Sequence, residues 1–92
     1  MISLASRPQL VPRARLRLDR RTGDYLLLWP ERGLALSSTA SEVLRLCSGG
    51  LSVEAIVSRL AQRYDSGTER LSEDVLAFLR ALEDRGLLVE AG

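Results

Sequence analysis

The chain has 92 residues, room for one domain, and its 46% hydrophobic content is that of a folded protein rather than a disordered one. A net charge of +1 gives no overall field to recruit nucleic acid or anionic lipid. With no His and a single Cys, the sequence lacks the commonest metal ligand and general base, an internal disulfide and a thiolate zinc cluster, so no catalytic site and no cofactor are expected.

Aromatic content is only 4%, so Leu, Val and Ala must supply most of the core. No apolar run approaches the ~20 residues that span a bilayer. The first residues lack the pattern of a signal peptide. A cytoplasmic protein is expected. Residues 1–50 carry eight Arg against Asp19, Asp24, Glu31 and Glu42; residues 51–92 carry five Arg against eight carboxylates. A basic first half and an acidic second half suggest two faces with different partners.

Residues 1–13 contain Pro8 and Pro12 and show no clear period; they read as an extended N-terminal arm, with residues 14–92 forming a single domain. Arg15-Leu16-Arg17-Leu18 alternates polar and apolar, the pattern of a half-buried strand. Thr22-Gly23-Asp24 is a turn signal that returns the chain antiparallel through Tyr25 to Trp29. The apolar run in that second strand implies burial on both faces, one against helices and the other against the arm or a second molecule. Pro30 ends the strand. After Gly33, Leu34-Ala35-Leu36 reads as a third, short strand at a sheet edge.

Thr39-Ala40-Ser41-Glu42 reads as a capping box that starts helix one. Ala40, Val43, Leu44 and Cys47 make its apolar stripe, and Gly49-Gly50 stops it. Ser52 caps helix two, whose Val53, Ile56, Val57, Leu60, Ala61 and Tyr64 share a face. Residues 65–68 read as a loop. Helix three is expected to start at Ser72, with Leu71 and Leu76 as a hydrophobic staple. Val75, Phe78, Leu79 and Leu82 form its stripe, and Gly86 is a left-handed cap with Leu87 folding back on Leu82. Phe78, the only Phe, is assigned to the core. The predicted fold is α+β and winged-helix-like: three N-terminal antiparallel strands followed by three α-helices.

Three features invite a chemical reading. Cys47 lies on an apolar stripe with no neighbouring group to activate its thiol, and reads as core. The carboxylates sit at helix starts or among arginines and form no acid–base pair. The segment from Ser52 to Gly86 resembles a helix-turn-helix, but Glu73, Asp74, Glu83 and Asp84 on helix three oppose a phosphate backbone. A small nucleic-acid-binding regulator is therefore the second reading, kept alive by Arg7, Arg13, Arg15, Arg17, Arg20 and Arg21. The first is a peptide-binding module, because an edge strand beside a helix can capture an extended peptide; Leu34-Ala35-Leu36 reads equally well as a plain sheet edge.

The order and spacing of several segments carry a resemblance. They are Leu27-Leu28-Trp29-Pro30-Glu31, Leu36-Ser37 with Ala40, Leu44 to Gly50, Val53, Ile56, Leu60 and Tyr64. To these add Asp74-Val75, Phe78-Leu79, Leu82 and Gly86-Leu87, with Pro8, Pro12 and Arg15 to Arg17 upstream. Together, over residues 8–89, the sequence resembles the PqqD family. It departs at Ser48, where the family's Asp is expected, and at Ser38, near an expected Asn; both are turn or cap positions.

The resemblance implies a peptide chaperone, or RiPP recognition element, in pyrroloquinoline quinone biosynthesis. Such a protein binds the precursor peptide PqqA and presents it to the radical S-adenosylmethionine enzyme PqqE. It also implies that the peptide adds to the third strand opposite the third helix. Carried onto this chain, the peptide site is Leu34, Ala35, Leu36 and Ser37 facing Val75, Leu79 and Leu82. Arg15, Arg17, Arg20 and Arg21, beside the first hairpin, are the expected enzyme-docking residues. The exposed edge and the all-apolar second strand are also routes to a homodimer.

Overall fold

The computed structural model describes residues 1–64 and 67–91; Asp65 and Ser66 of the expected 65–68 loop lie outside the described residues. The element order is β1 (Pro8–Leu10), β2 (Arg15–Leu18), β3 (Tyr25–Trp29), β4 (Arg32–Ala35), α1 (Ser38–Arg45), α2 (Val53–Arg63), α3 (Thr68–Asp84) and β5 (Leu88–Glu90). The expected α+β arrangement is present: the three predicted strands are β2, β3 and β4, an antiparallel sheet in that order, followed by three helices. A second sheet, β1 against β5, joins the two ends of the chain.

β1 and β5 pair antiparallel with Pro8 opposite Glu90 and Leu10 opposite Leu88. The residues around them are stitched to the helices. Val53 N–H donates to the Ser6 carbonyl, Glu54 N–H to Leu4, and Gly49 N–H to Pro8. Ile2 is fully buried, and its carbonyl accepts from Arg80 Nε at 2.8 Å. The segment read from sequence as an arm thus packs on the helices and β5. It does not cover the outer face of β3, where Leu26 and Leu28 stay half-buried. The physical reason is that the arm's edge groups are already used by β5.

The core draws on every helix: Val43 and Leu44 of α1, Ile56 and Leu60 of α2, Leu79 and Leu82 of α3, with Leu87 and Leu88 beyond. Leu27 is the sheet's main contribution, at 0% exposure. A second tie is polar: Tyr25 N–H donates to the buried Ser41 Oγ of α1 at 2.9 Å.

Two helix starts differ from expectation. α1 is capped by Ser37, whose hydroxyl accepts from Ala40 N–H at 3.1 Å, and not by Thr39. The sheet ladder ends immediately before it, with Leu36 N–H donating to the Tyr25 carbonyl, so the helix begins at once. Glu42 is not part of a capping box; it pairs with Arg63 of α2. α3 begins at Thr68 rather than Ser72, behind Gly67 with no side-chain cap. Leu71, Val75, Leu79 and Leu82 form one continuous buried line, so the helix extends a turn earlier to include Leu71. Other signals hold. Ser52 caps α2 through Ala55 N–H. Gly86, at φ +74°, closes α3 with Leu87 N–H donating to the Leu82 carbonyl.

Candidate functional site

β4 is an edge strand with all four residues exposed. Its register pairs Leu26 with Ala35, Leu27 with Leu34, Leu28 with Gly33 and Trp29 with Arg32. Antiparallel pairs alternate between bonded and non-bonded. Because Leu36 N–H points inward to the Tyr25 carbonyl, Leu34 and Arg32 also point inward. Gly33 and Ala35 are then the residues whose N–H and C=O face outward, ready for another strand.

Side chains alternate the other way. Leu34 and Leu36 share the inner face with the buried Leu27. Leu36 is 7% exposed and Leu34 37%, so Leu34 is the exposed apolar residue of this strand on that face. Gly33 and Ala35 share the outer face with Leu26, Leu28, Arg15 and Arg17.

Past Ser37 the edge runs into a groove of about 430 Å³ between α1 and α3. Ala40 and Val43 form one wall, Leu71, Val75 and Phe78 the other, and Tyr64 closes one end. Polar groups are few: the Ser37 and Thr39 hydroxyls and the exposed Asp74 carboxylate. A mostly apolar slot with a few placed polar groups suits side chains of an extended ligand.

The sequence-predicted wall is redistributed. Val75 lines the groove, although it is 3% exposed. Leu79 and Leu82, at 0% and 3%, are core residues outside the groove lining, and Phe78 is the half-buried residue that forms its wall. Helix geometry explains the exchange: Leu79 continues the buried line Leu71–Val75, whereas Phe78 lies ~100° around the helix, one turn above Asp74. Tyr64 was read as helix-two packing and Phe78 as core; their membership of one groove depends on how α3 docks beside α1, which local periodicity does not report.

The predicted docking arginines fall in two places. Arg17, Arg20 and Arg21 surround one surface depression with Leu26, and Arg15 lines another with Arg13, Leu28 and Trp29. The arginines lie on β2 and the turns flanking it, with β3 between that strand and the β4 edge. Asp19 holds the turn, accepting from Arg21 N–H at 3.0 Å.

Cys47 is 5% exposed, donates to the Val43 carbonyl, and burial pushes its pKa up to about 12. It is a core thiol. Among the described residues no group of three His, Cys, Asp or Glu is placed to hold a metal, and no helix is long and apolar enough to cross a membrane. α3 exposes Glu69, Glu73, Asp74 and Asp84 against Arg70, a net negative charge unsuited to reading a DNA groove.

An exposed strand edge continuous with a helix-walled apolar groove defines a small α+β domain of the winged-helix-like class. The chain belongs to the PqqD family: the family model described as coenzyme PQQ synthesis protein D matches residues 24–88. A "PqqA binding protein" of Rhodopseudomonas palustris (strain BisB5) is 43% identical, over 98% of this chain and 88% of the relative. The bifunctional coenzyme PQQ synthesis protein C/D of Methylorubrum extorquens is 35% identical over 88% of this chain, which spans 22% of that longer protein. A solved structure, the solution NMR structure of the PqqD truncation of Methylobacterium extorquens PqqCD, superposes with a TM-score of 0.83 at 32% identity, covering 97% of this chain and 95% of that one. It is described as a functional, stand-alone RiPP recognition element.

Proposed function

We propose that this protein is a peptide chaperone of pyrroloquinoline quinone biosynthesis, without chemistry of its own, that binds the precursor peptide PqqA in the cytoplasm and presents it to the radical enzyme PqqE. The observation that carries the reading is the outward-facing backbone of Gly33 and Ala35 beside the α1–α3 groove. PqqA adds as a strand along β4, backbone to backbone, and places alternate side chains against Leu34 and into the groove walled by Val75 and Phe78. The names of the family relatives support PqqA as the ligand. Leu79 and Leu82 act behind the wall by holding it.

Titration of the labelled protein with PqqA, followed through amide NMR shifts, tests this. Shifts concentrated at Gly33 to Ser37 and along Leu71 to Phe78 are the expected result; shifts confined to β2 or β1 overturn strand capture at β4. Enzyme docking is assigned to the β2 edge of the same sheet, where Arg15, Arg17, Arg20 and Arg21 flank the half-buried Leu26 and Leu28. Reversing Arg17 and Arg20 to Glu should weaken PqqE binding, more at low salt than at high, and leave PqqA affinity unchanged. Loss of PqqA binding with normal PqqE docking would reverse the two faces.

A further inference from the structure

A second site lies on a different face of α1 from the groove. Arg45 in the last turn of α1, Arg63 in the last turn of α2 and Arg59 one turn before it line a cleft of about 340 Å³. Half-buried Leu46 supplies apolar surface over the buried Leu60, and the cleft's one carboxylate is Glu42, which pairs with Arg63. The Arg45 guanidinium lies 5.4 Å from the centre of the Tyr25 ring and is held by it. Arg59 makes no ion pair among the described residues.

We propose that this cleft binds an acidic segment of a polypeptide partner, with Arg45, Arg59 and Arg63 taking its carboxylates. Three cations against one anion leave the cleft positive within a chain that is almost neutral. A planar guanidinium matches a carboxylate with two parallel hydrogen bonds. The leucine surface suits the methylene stems of Glu side chains. A compact phosphate lacks here the helix N-terminal N–H donors that phosphate sites use; both helices present C-terminal ends, whose dipoles disfavour any anion, carboxylates included, so the three arginines must outweigh them. Glu42 shows that a carboxylate fits, and it competes with the incoming ones. Arginines at helix C-termini also offset the helix dipole. That role alone makes Glu42 a stabilising partner of Arg63, and it predicts no gain in affinity when Glu42 is removed.

The probe is a hexaglutamate peptide titrated into the whole protein, read at the arginine side-chain N–H signals. Saturable shifts at Arg45, Arg59 and Arg63 are expected, with Val75 and Phe78 amides unmoved. The pair Arg59→Gln and Arg63→Gln should lower affinity by roughly tenfold or more. Glu42→Gln should raise it, about threefold, even if the variant melts slightly earlier, because a competitor has been removed. An unchanged or reduced affinity in Glu42→Gln overturns the proposal. So do equal shifts at Arg17, Arg20 and Arg21, or inorganic phosphate reproducing the effect at matched ionic strength.

Discussion

Leu79 in α3 is 0% exposed, whereas Leu34 in β4 is 37% exposed. Around Leu79 the three helices and the β1–β5 pair close on one another, with both ends of the chain stitched down through Ser6, Ile2 and Ala91. Around Leu34 the β2–β3–β4 sheet stands on that body through Leu27, Leu36 and the Tyr25–Ser41 hydrogen bond. The body holds the fold. The sheet edge spends little of its surface on the fold and leaves the backbone groups of Gly33 and Ala35 facing outward.

The contrast is sharpest in deletion of buried area. Leu79→Ala should cost about 3–4 kcal/mol of stability, and Leu34→Ala well under 1 kcal/mol, by denaturant melts. Similar losses at both positions would mean the edge is part of the core.

Binding should invert that ranking. Ala35→Pro removes an outward donor while sparing the bonds to β3, and should weaken PqqA binding by about 1–3 kcal/mol in a protein that still folds. Leu36→Pro removes the inward bond to the Tyr25 carbonyl and should unfold the edge itself. Phe78→Ala should likewise lower affinity more than stability. A variant that binds normally at both Ala35→Pro and Phe78→Ala would sink the strand-and-groove account.

The body also carries a pH signature. In the unfolded chain the Cys47 thiol ionises near its ordinary value of 9.0; in the folded one it stays protonated until about 12. Its contribution is therefore complete below pH 9 and is lost as pH rises towards 12, at most about 1.4 kcal/mol by pH 10. Cys47→Ala should flatten that part of the alkaline decline relative to the parent.

At the junction between the two regions the effect is smaller. Ser37→Ala removes the α1 cap and should cost about 1 kcal/mol, whereas Thr39→Ala should be close to silent. Thermal melts of the pair check which hydroxyl starts the helix.

Those two residues also mark how far the sequence could be read. Alternation at Arg15 to Leu18, the Pro30 stop, the Ser52 cap and the Gly86 cap are local signals, and each appears where it was expected. Thr39-x-x-Glu42 has the right spacing for a capping box, but Ser37 stands two residues earlier, where the sheet ladder runs out, and Arg63 from another helix claims Glu42. The strand edge was legible; that helix three lies opposite it came from the family resemblance, and which residues line the groove was not legible. Leu79 and Phe78 are adjacent on an apolar stripe, and only the docking angle of α3 against α1 decides which is buried. The pairing of Pro8 to Leu10 with Leu88 to Glu90 was hidden for a similar reason: it joins segments eighty residues apart, and short strands of that kind leave little local pattern.

The brevity of β4 limits how strongly it can attract a chance partner. Two residues, Gly33 and Ala35, offer one donor and one acceptor each, a contribution of roughly 2–6 kcal/mol at the usual net value of a hydrogen bond. Association itself costs an estimated ~4–15 kcal/mol, so backbone pairing at this edge cannot hold a stray extended chain for long. Under the proposed binding mode any backbone can try the edge, but only one with side chains that fill the α1–α3 groove stays. A precursor could therefore drift at positions that merely pair with β4, while those that enter the groove would be constrained to change together with Val75 and Phe78.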